Sequence, residues 1–202
     1  MGEDGPGVLV MQSVNLRRVD TLLPYSFTGI FTNYQHLSKM KGMIAEMTSM
    51  NISEWSFEFV EELEPRRNDD GTVEARMPQQ RYKDANSTPV HQYGWGPFCK
   101  FSISGDWDEK SGVYILMTDN KFLYVGETKN LERQLNRGFG HISPRHCFKG
   151  GQQTNCRINS LIRESAIEGT SINLFFHETD NRRATKQELI NELEPAWNKA
   201  NT

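Results

Sequence analysis

The chain has 202 residues, 36% hydrophobic and 24% charged, with a formal net charge of −3. Eleven Phe, six Tyr and four Trp supply bulk for a core, which excludes a wholly disordered chain; the length suits one elaborated domain or a domain with a smaller companion. The acidic, glycine-rich start (Met1-Gly2-Glu3-Asp4-Gly5) does not read as a secretory leader, and no apolar run approaches the roughly 20 residues of a membrane-spanning helix, so no membrane association is expected. Three cysteines (Cys99, Cys147, Cys156) without a CxxC pair point to reduced thiols and a cytoplasmic protein.

In chain order, residues 8–14 alternate apolar and polar side chains and read as a short strand. Leu37, Met40, Ile44 and Met47 fall at helical spacing and predict an amphipathic helix over 34–49. Trp55, Phe57 and Phe59 alternate as in a strand, and Arg67-Asn68-Asp69-Asp70-Gly71 is turn chemistry that would return the chain as a partner strand over 72–77. Residues 78–89 are polar and irregular, a linker or mobile loop, and 99–104 read as a strand entering the second half. An N-terminal accessory region of α+β character, without a chemical motif, is expected over 1–92, followed by a second domain over 93–202.

Charge is unevenly spread. Residues 1–110 hold 16 acids and 11 bases, whereas 111–202 hold 10 acids and 12 bases. Between Lys129 and Arg163 there are seven bases against the single acid Glu132, enough for an anion-binding face or for chance clustering on a solvated surface. Near Arg66, Arg67, Arg76, Arg81 and Lys83 the acids Glu61, Glu62, Glu64, Asp69 and Asp70 are expected to cancel the field.

The second half is more regular. Gly112-Val113-Tyr114 opens an apolar strand, Asp119-Asn120 makes a turn, and Phe122 to Val125 returns to Gly126, placing Tyr114 and Tyr124 on adjacent strands. Thr128 or Asn130 can cap the next helix, near 129–137, in which Leu131, Gln134, Leu135 and Gly138 share a face. Further helices are predicted near 157–168 and 182–194, and a strand over 172–177. The fold class is α+β: a small mixed sheet flanked by helices.

The pattern Gly-Val-Tyr, then Tyr-Val-Gly-x-Thr-Lys-Asn-Leu, and at the end Leu189-Ile190-x-x-Leu193-x-Pro195-x-Trp197-Asn198, resembles the GIY-YIG nuclease superfamily over 111–198. Gly140-His141-Ile142-Ser143-Pro144 and the run Gly150-Gly151-Gln152-Gln153-Thr154-Asn155-Cys156-Arg157-Ile158-Asn159 are similar to its restriction-like branches. The resemblance implies hydrolysis of DNA phosphodiesters, restriction-like or repair-like, on double-stranded DNA. It assigns Tyr114 to accept or relay a proton from the attacking water and Tyr124 to position the phosphate. It further implies an arginine on the first helix to offset phosphate charge, and a glutamate on the closing helix to hold Mg²⁺.

Two positions depart from that pattern: Gln134 stands where the resemblance places the arginine, and Lys186 where it places the glutamate. An amide brings no charge to the phosphate and an ammonium repels a cation, so cleavage is expected to be weak or absent. Three readings are open: a degenerate relative that binds DNA or a protein partner without cutting, an engineered inactive variant, or compensation by Arg133, Arg137 or Glu188, of which Arg137 lies nearest Gln134 on a 3.6-residue helix. Glu188 otherwise reads as a capping-box partner of Thr185 or a solvent-facing residue. Lys186 shares the stripe of Ile190 and Leu193, and a lysine there must reach solvent or an anion. DNA contacts are expected from Lys129, Arg133, His141, Arg145, Lys149, Gln152, Asn155 and Arg157, the last three lying in a polar loop before a helix start. His141, His146, Cys147 and Cys156 lack the spacing of a recognised zinc finger, so no metal ligands are assigned there.

Overall fold

A computed structural model describes residues 15–18 and 47–198, which divide into two compact units, Met1–Phe59 and Val60–Thr202. In the smaller unit, β1 (Asn15–Arg18) pairs antiparallel with β2 (Met47–Ile52), Leu16 opposite Met50. β2 in turn pairs antiparallel with β3 (Trp55–Glu62), Met50 opposite Phe57. The strand expected over 8–14 lies outside the described residues, as does most of the helix expected over 34–49. The last positions of that helix, 47–49, belong to β2 instead.

The larger unit starts at Val60 rather than near 93, because the segment after β3 is sewn to the rest by its backbone. Leu63 N–H donates to Ile172 O and Arg66 N–H to Lys100 O, both at 2.8 Å. The turn at 67–71 forms as its composition predicts: Gly71 takes φ +82°, and Asp70 Oδ1 accepts from Thr72 N–H at 2.9 Å. The return over 72–77 does not pair with Trp55–Phe59. Val73 bridges Arg67 and Arg76 bridges Phe98. Nor is 78–89 a linker: Pro78–Arg81 forms a 3-10 turn, buried Gln79 donates to Trp95 O, and Tyr82 stacks on Phe148 at 4.3 Å.

Around the site the architecture is a three-stranded ladder with helices beside it. β4 (Gly112–Met117) lies between β5 (Phe122–Thr128) and β6 (Asn173–Glu178), antiparallel to both. The α+β class expected from the sequence is what the chain adopts, with antiparallel rather than mixed pairing in this ladder. Every residue of β4 is buried, as suits a central strand with both faces covered. Leu116, Leu131, Leu135, Ile158, Ile162, Leu174 and Phe176 form the core between this ladder, the π-helix Arg133–Phe139 and α1 (Gln153–Ile167). The last helix, α2 (Arg182–Leu193), packs against β4 and β5.

Residues 99–104 are extended, with Cys99, Phe101 and Ile103 buried in strand alternation, yet no neighbouring strand among the described residues satisfies them. Amide side chains and loop backbone do so instead. Buried Asn159 accepts from Cys99 N–H (2.9 Å) and donates to the carbonyls of Cys99 (3.0 Å) and Phe139 (2.6 Å). Asn136 Oδ1 accepts from Ile103 N–H at 2.7 Å, and Phe101 N–H donates to Gly140 O at 3.2 Å. The expected strand is thus a strand in its side-chain pattern, and a rib pinned by amides in its hydrogen bonds. Cys99, Cys147 and Cys156 are buried free thiols; burial pushes the Cys99 thiol up to about 12. No helix among the described residues is long and apolar enough to cross a membrane.

Candidate functional site

The hairpin β4–β5 sets the register that defines the site: Tyr114 stands opposite Gly126 and Leu116 opposite Tyr124. The Tyr114 ring lies directly over Gly126, where a Cβ would come within 2.2 Å of its Cζ and 2.3 Å of its hydroxyl oxygen. Glycine at this point is therefore a packing requirement, with no unusual backbone angle involved. The Tyr124 ring is 6.1 Å from that of Tyr114, and Phe139 meets both edge-on at 6.1 and 6.0 Å. Such tilted contacts bring the positive ring edge to the negative face.

The two phenols act on one another, each shifting the other's acidity. Tyr114 is only 2% exposed, whereas Tyr124 is partly exposed. Burial, then Tyr124, then Glu127 raise the Tyr114 phenol well above its ordinary range. Burial raises Tyr124 too, opposed by the positive charge of Arg157. The chemistry open to this pair is that of neutral phenols. A standing phenolate base is disfavoured.

On the helix side, Asn130 Oδ1 accepts from Arg133 N–H at 2.7 Å, so Asn130 caps the helix, while Thr128 Oγ1 accepts from Asn130 N–H at 3.0 Å. Beyond this cap the chain winds as a π-helix over Arg133–Phe139, closed by Gly140 N–H to Leu135 O at 2.6 Å. An i→i+5 winding holds more than four residues per turn, so Gly138 rather than Arg137 returns over Gln134. The Gln134 amide indeed lies beside Gly138, with the Asn155 amide next to it. Arg137 is exposed to solvent, and its expected place nearest Gln134, which assumes a 3.6-residue helix, is corrected by the wider winding.

Lys186 settles on an anion inside the protein. Its Nζ lies 3.9 Å from Glu127 Oε1, with side-chain exposures of 33% and 28%. Glu127 comes directly after Gly126, and its importance was hidden at a position the motif leaves variable. Glu188 is exposed, and the helix cap is Asn181, so Glu188 is the solvent-facing residue and Thr185 is buried within the helix. Thr128, Lys129, Gln134, Arg182 and Arg183 join Glu127 in lining a cavity of about 330 Å³.

Helix α1 begins at Gln153, earlier than expected, because Cys156, Ile158, Asn159 and Ile162 bury one helical stripe. Asn155 and Arg157 are thus helical residues on the site side, not loop residues, and Gln152 is the exposed N-cap. Arg145 is engaged within the protein, over the Tyr82 ring at 6.0 Å and donating to Lys149 O at 3.0 Å. Lys149 and Arg133 are exposed. His141 belongs to a second cationic group: burial, then Lys100, Arg76 and Arg81, hold its imidazole below the usual value. The bridge of Arg76 to Phe98 and the bond from Phe101 to Gly140 bring these segments together, and Arg76 itself has Glu74 at 3.9 Å. Glu61, Glu62 and Glu64 instead line a separate cavity with Arg66.

The structure thus gathers Tyr114, Tyr124, Gln134, Asn155, Arg157, Lys129 and Lys186, and adds Glu127, Phe139, Arg182 and Arg183. The residues present do not fit Mg²⁺. The carboxylate lining the cavity is matched by an ammonium, and among the described residues no three His, Cys, Asp or Glu side chains converge to hold an ion. Set against known protein families, curated proteins and solved structures, the chain matches none of them.

Proposed function

We propose that this chain is a DNA-acting protein of the GIY-YIG endonuclease type that engages duplex DNA but hydrolyses it weakly or not at all with Mg²⁺. The observation that carries the reading is the packed tyrosine pair, with Tyr114 lying over Gly126, beside a cation-lined cavity. Arg157, whose charge reaches Tyr124, supplies positive potential that Gln134 does not. Asn155 and Gln134 add neutral donors to the same wall.

The Lys186–Glu127 pair favours the binding arm of this reading over the cutting arm. A lysine that neutralises the local carboxylate leaves an anion-accepting surface and removes the means to hold a cation. Plasmid incubated with the protein and Mg²⁺ should stay largely supercoiled, while a labelled duplex should bind with an affinity that falls steeply with salt. Robust cleavage would refute the weak-hydrolysis arm. Salt-insensitive or absent duplex binding would refute the DNA reading and leave a protein-binding module.

A further inference from the structure

The end of β5 and the start of α2 enclose the cavity lined by Glu127, Thr128, Lys129, Gln134, Arg182 and Arg183. Its wall carries three cations against one carboxylate, and that carboxylate already faces Lys186 at 3.9 Å. Lys129 and Arg183 are exposed, and neither is ion-paired among the described residues. Arg182 is held from behind: its guanidinium donates to Ser111 Oγ at 3.1 Å and Thr128 O at 3.4 Å, while its Nε is buried without an acceptor. The first turn of α2 has no acidic residue and no side-chain cap.

Among the described residues, Lys129 and Arg183 thus leave positive charge without an internal ion partner on one concavity, with Arg182 held beside them by Ser111 and Thr128. Clustered cations around a small cavity focus potential on an anion. Guanidinium forks suit the several acceptor oxygens of a phosphate, and Gln134 brings a neutral donor beside them. We propose that this cavity seats a backbone phosphate of duplex DNA, gripped by Lys129 and Arg183, with Arg182 as the positioning residue. The inference rests on the DNA-acting reading and names residues that the tyrosine hairpin alone does not point to.

The test is a salt series of duplex-binding isotherms, read by fluorescence anisotropy, for the full chain and for Lys129→Ala/Arg183→Ala. Both side chains are exposed, so the fold should survive, as a thermal melt of the variant checks. Loss of two phosphate contacts should weaken binding about tenfold or more near physiological salt and flatten the slope of log affinity against log salt by about 1.8. The charge-keeping variant Lys129→Arg/Arg183→Lys should retain both. If the full chain binds duplex and the alanine variant matches it in affinity and slope, the phosphate seat is wrong and the DNA reading stands. If the full chain binds no duplex at low salt, the DNA reading itself falls.

Discussion

The hairpin wall of the site and the helical wall opposite it handle polar groups in contrary ways. On the hairpin, Tyr114 is buried and neutral, its ring fixed by Gly126 and Phe139. On the helices, Lys186, Arg182 and Arg183 remain charged and partly or fully open to solvent. The first wall derives its geometry from close packing, which tolerates almost no change in volume. The second derives its character from charge, which survives small shifts in position and is tuned by exchange of single residues. That difference explains how the tyrosine pair can keep a strict register while Gln134 and Lys186 occupy positions where the family resemblance requires opposite chemistry.

Breaking the packed wall should have the largest effect. Gly126→Ala places a methyl on the Tyr114 ring, and the stability lost should be about 3 kcal/mol, at the upper end of overpacking costs, read from urea unfolding. A loss below about 0.5 kcal/mol would mean the ring moves freely and the register is not fixed by packing. Exchanging the charged wall comes next. Gln134→Arg with Lys186→Glu should raise Mg²⁺-dependent plasmid nicking about 100-fold, near 2.7 kcal/mol of barrier, if the helices already hold these positions correctly. No gain in a folded, DNA-binding double variant would show that the two walls are no longer in catalytic relation.

The neutral pair can be tested by pH. The Tyr114 phenol is raised above its ordinary 10.0, first by burial, so the folded state holds that proton more tightly than the unfolded chain. The resulting stability is whole below the unfolded value and drains away as pH climbs through the folded one. Unfolding free energies should therefore decline on the alkaline side, and Tyr114→Phe should flatten that decline. An unchanged alkaline slope in the phenylalanine variant would show that Tyr114 is already ionising at its ordinary value. The smallest effect is expected at the ion pair: Lys186→Met should change stability by less than about 1 kcal/mol, as half-exposed pairs do, yet weaken duplex binding. A large stability loss there would make Lys186 a structural residue first.

Where a signal was local and periodic, the chain could be read directly. Alternation gave β3, short apolar runs gave β4, β5 and β6, and the spacing of Leu131 and Leu135 gave the buried face of the first helix. Tyr114 and Tyr124 could be paired because hairpin register is set by strand and turn lengths. What escaped was set by groups distant in sequence. No local pattern reveals that Asn159 would satisfy the backbone at Cys99 and Phe139, or that 60–92 would join the larger unit through Arg66 and Arg76. The π winding also left no period to detect, and it moved Arg137 off the site. Glu127 was hidden for a different reason: it stands at the variable position between the motif letters, and only the fold brings Lys186 to it.

One consequence concerns assembly rather than chemistry. In the β6–β4–β5 ladder, β5 has one long side with no neighbouring strand among the described residues, a row of donors and acceptors that another chain could copy. The C-terminal turn occupies that row. Ala196 and Trp197 donate to Phe122 and Leu123 carbonyls, and the Asn198 side chain returns both bonds of a peptide group to Val125, at 2.8 and 2.9 Å. A single asparagine thereby imitates one residue of a missing strand and ends the ladder, so Asn198→Ala should expose a sticky margin and promote concentration-dependent self-association.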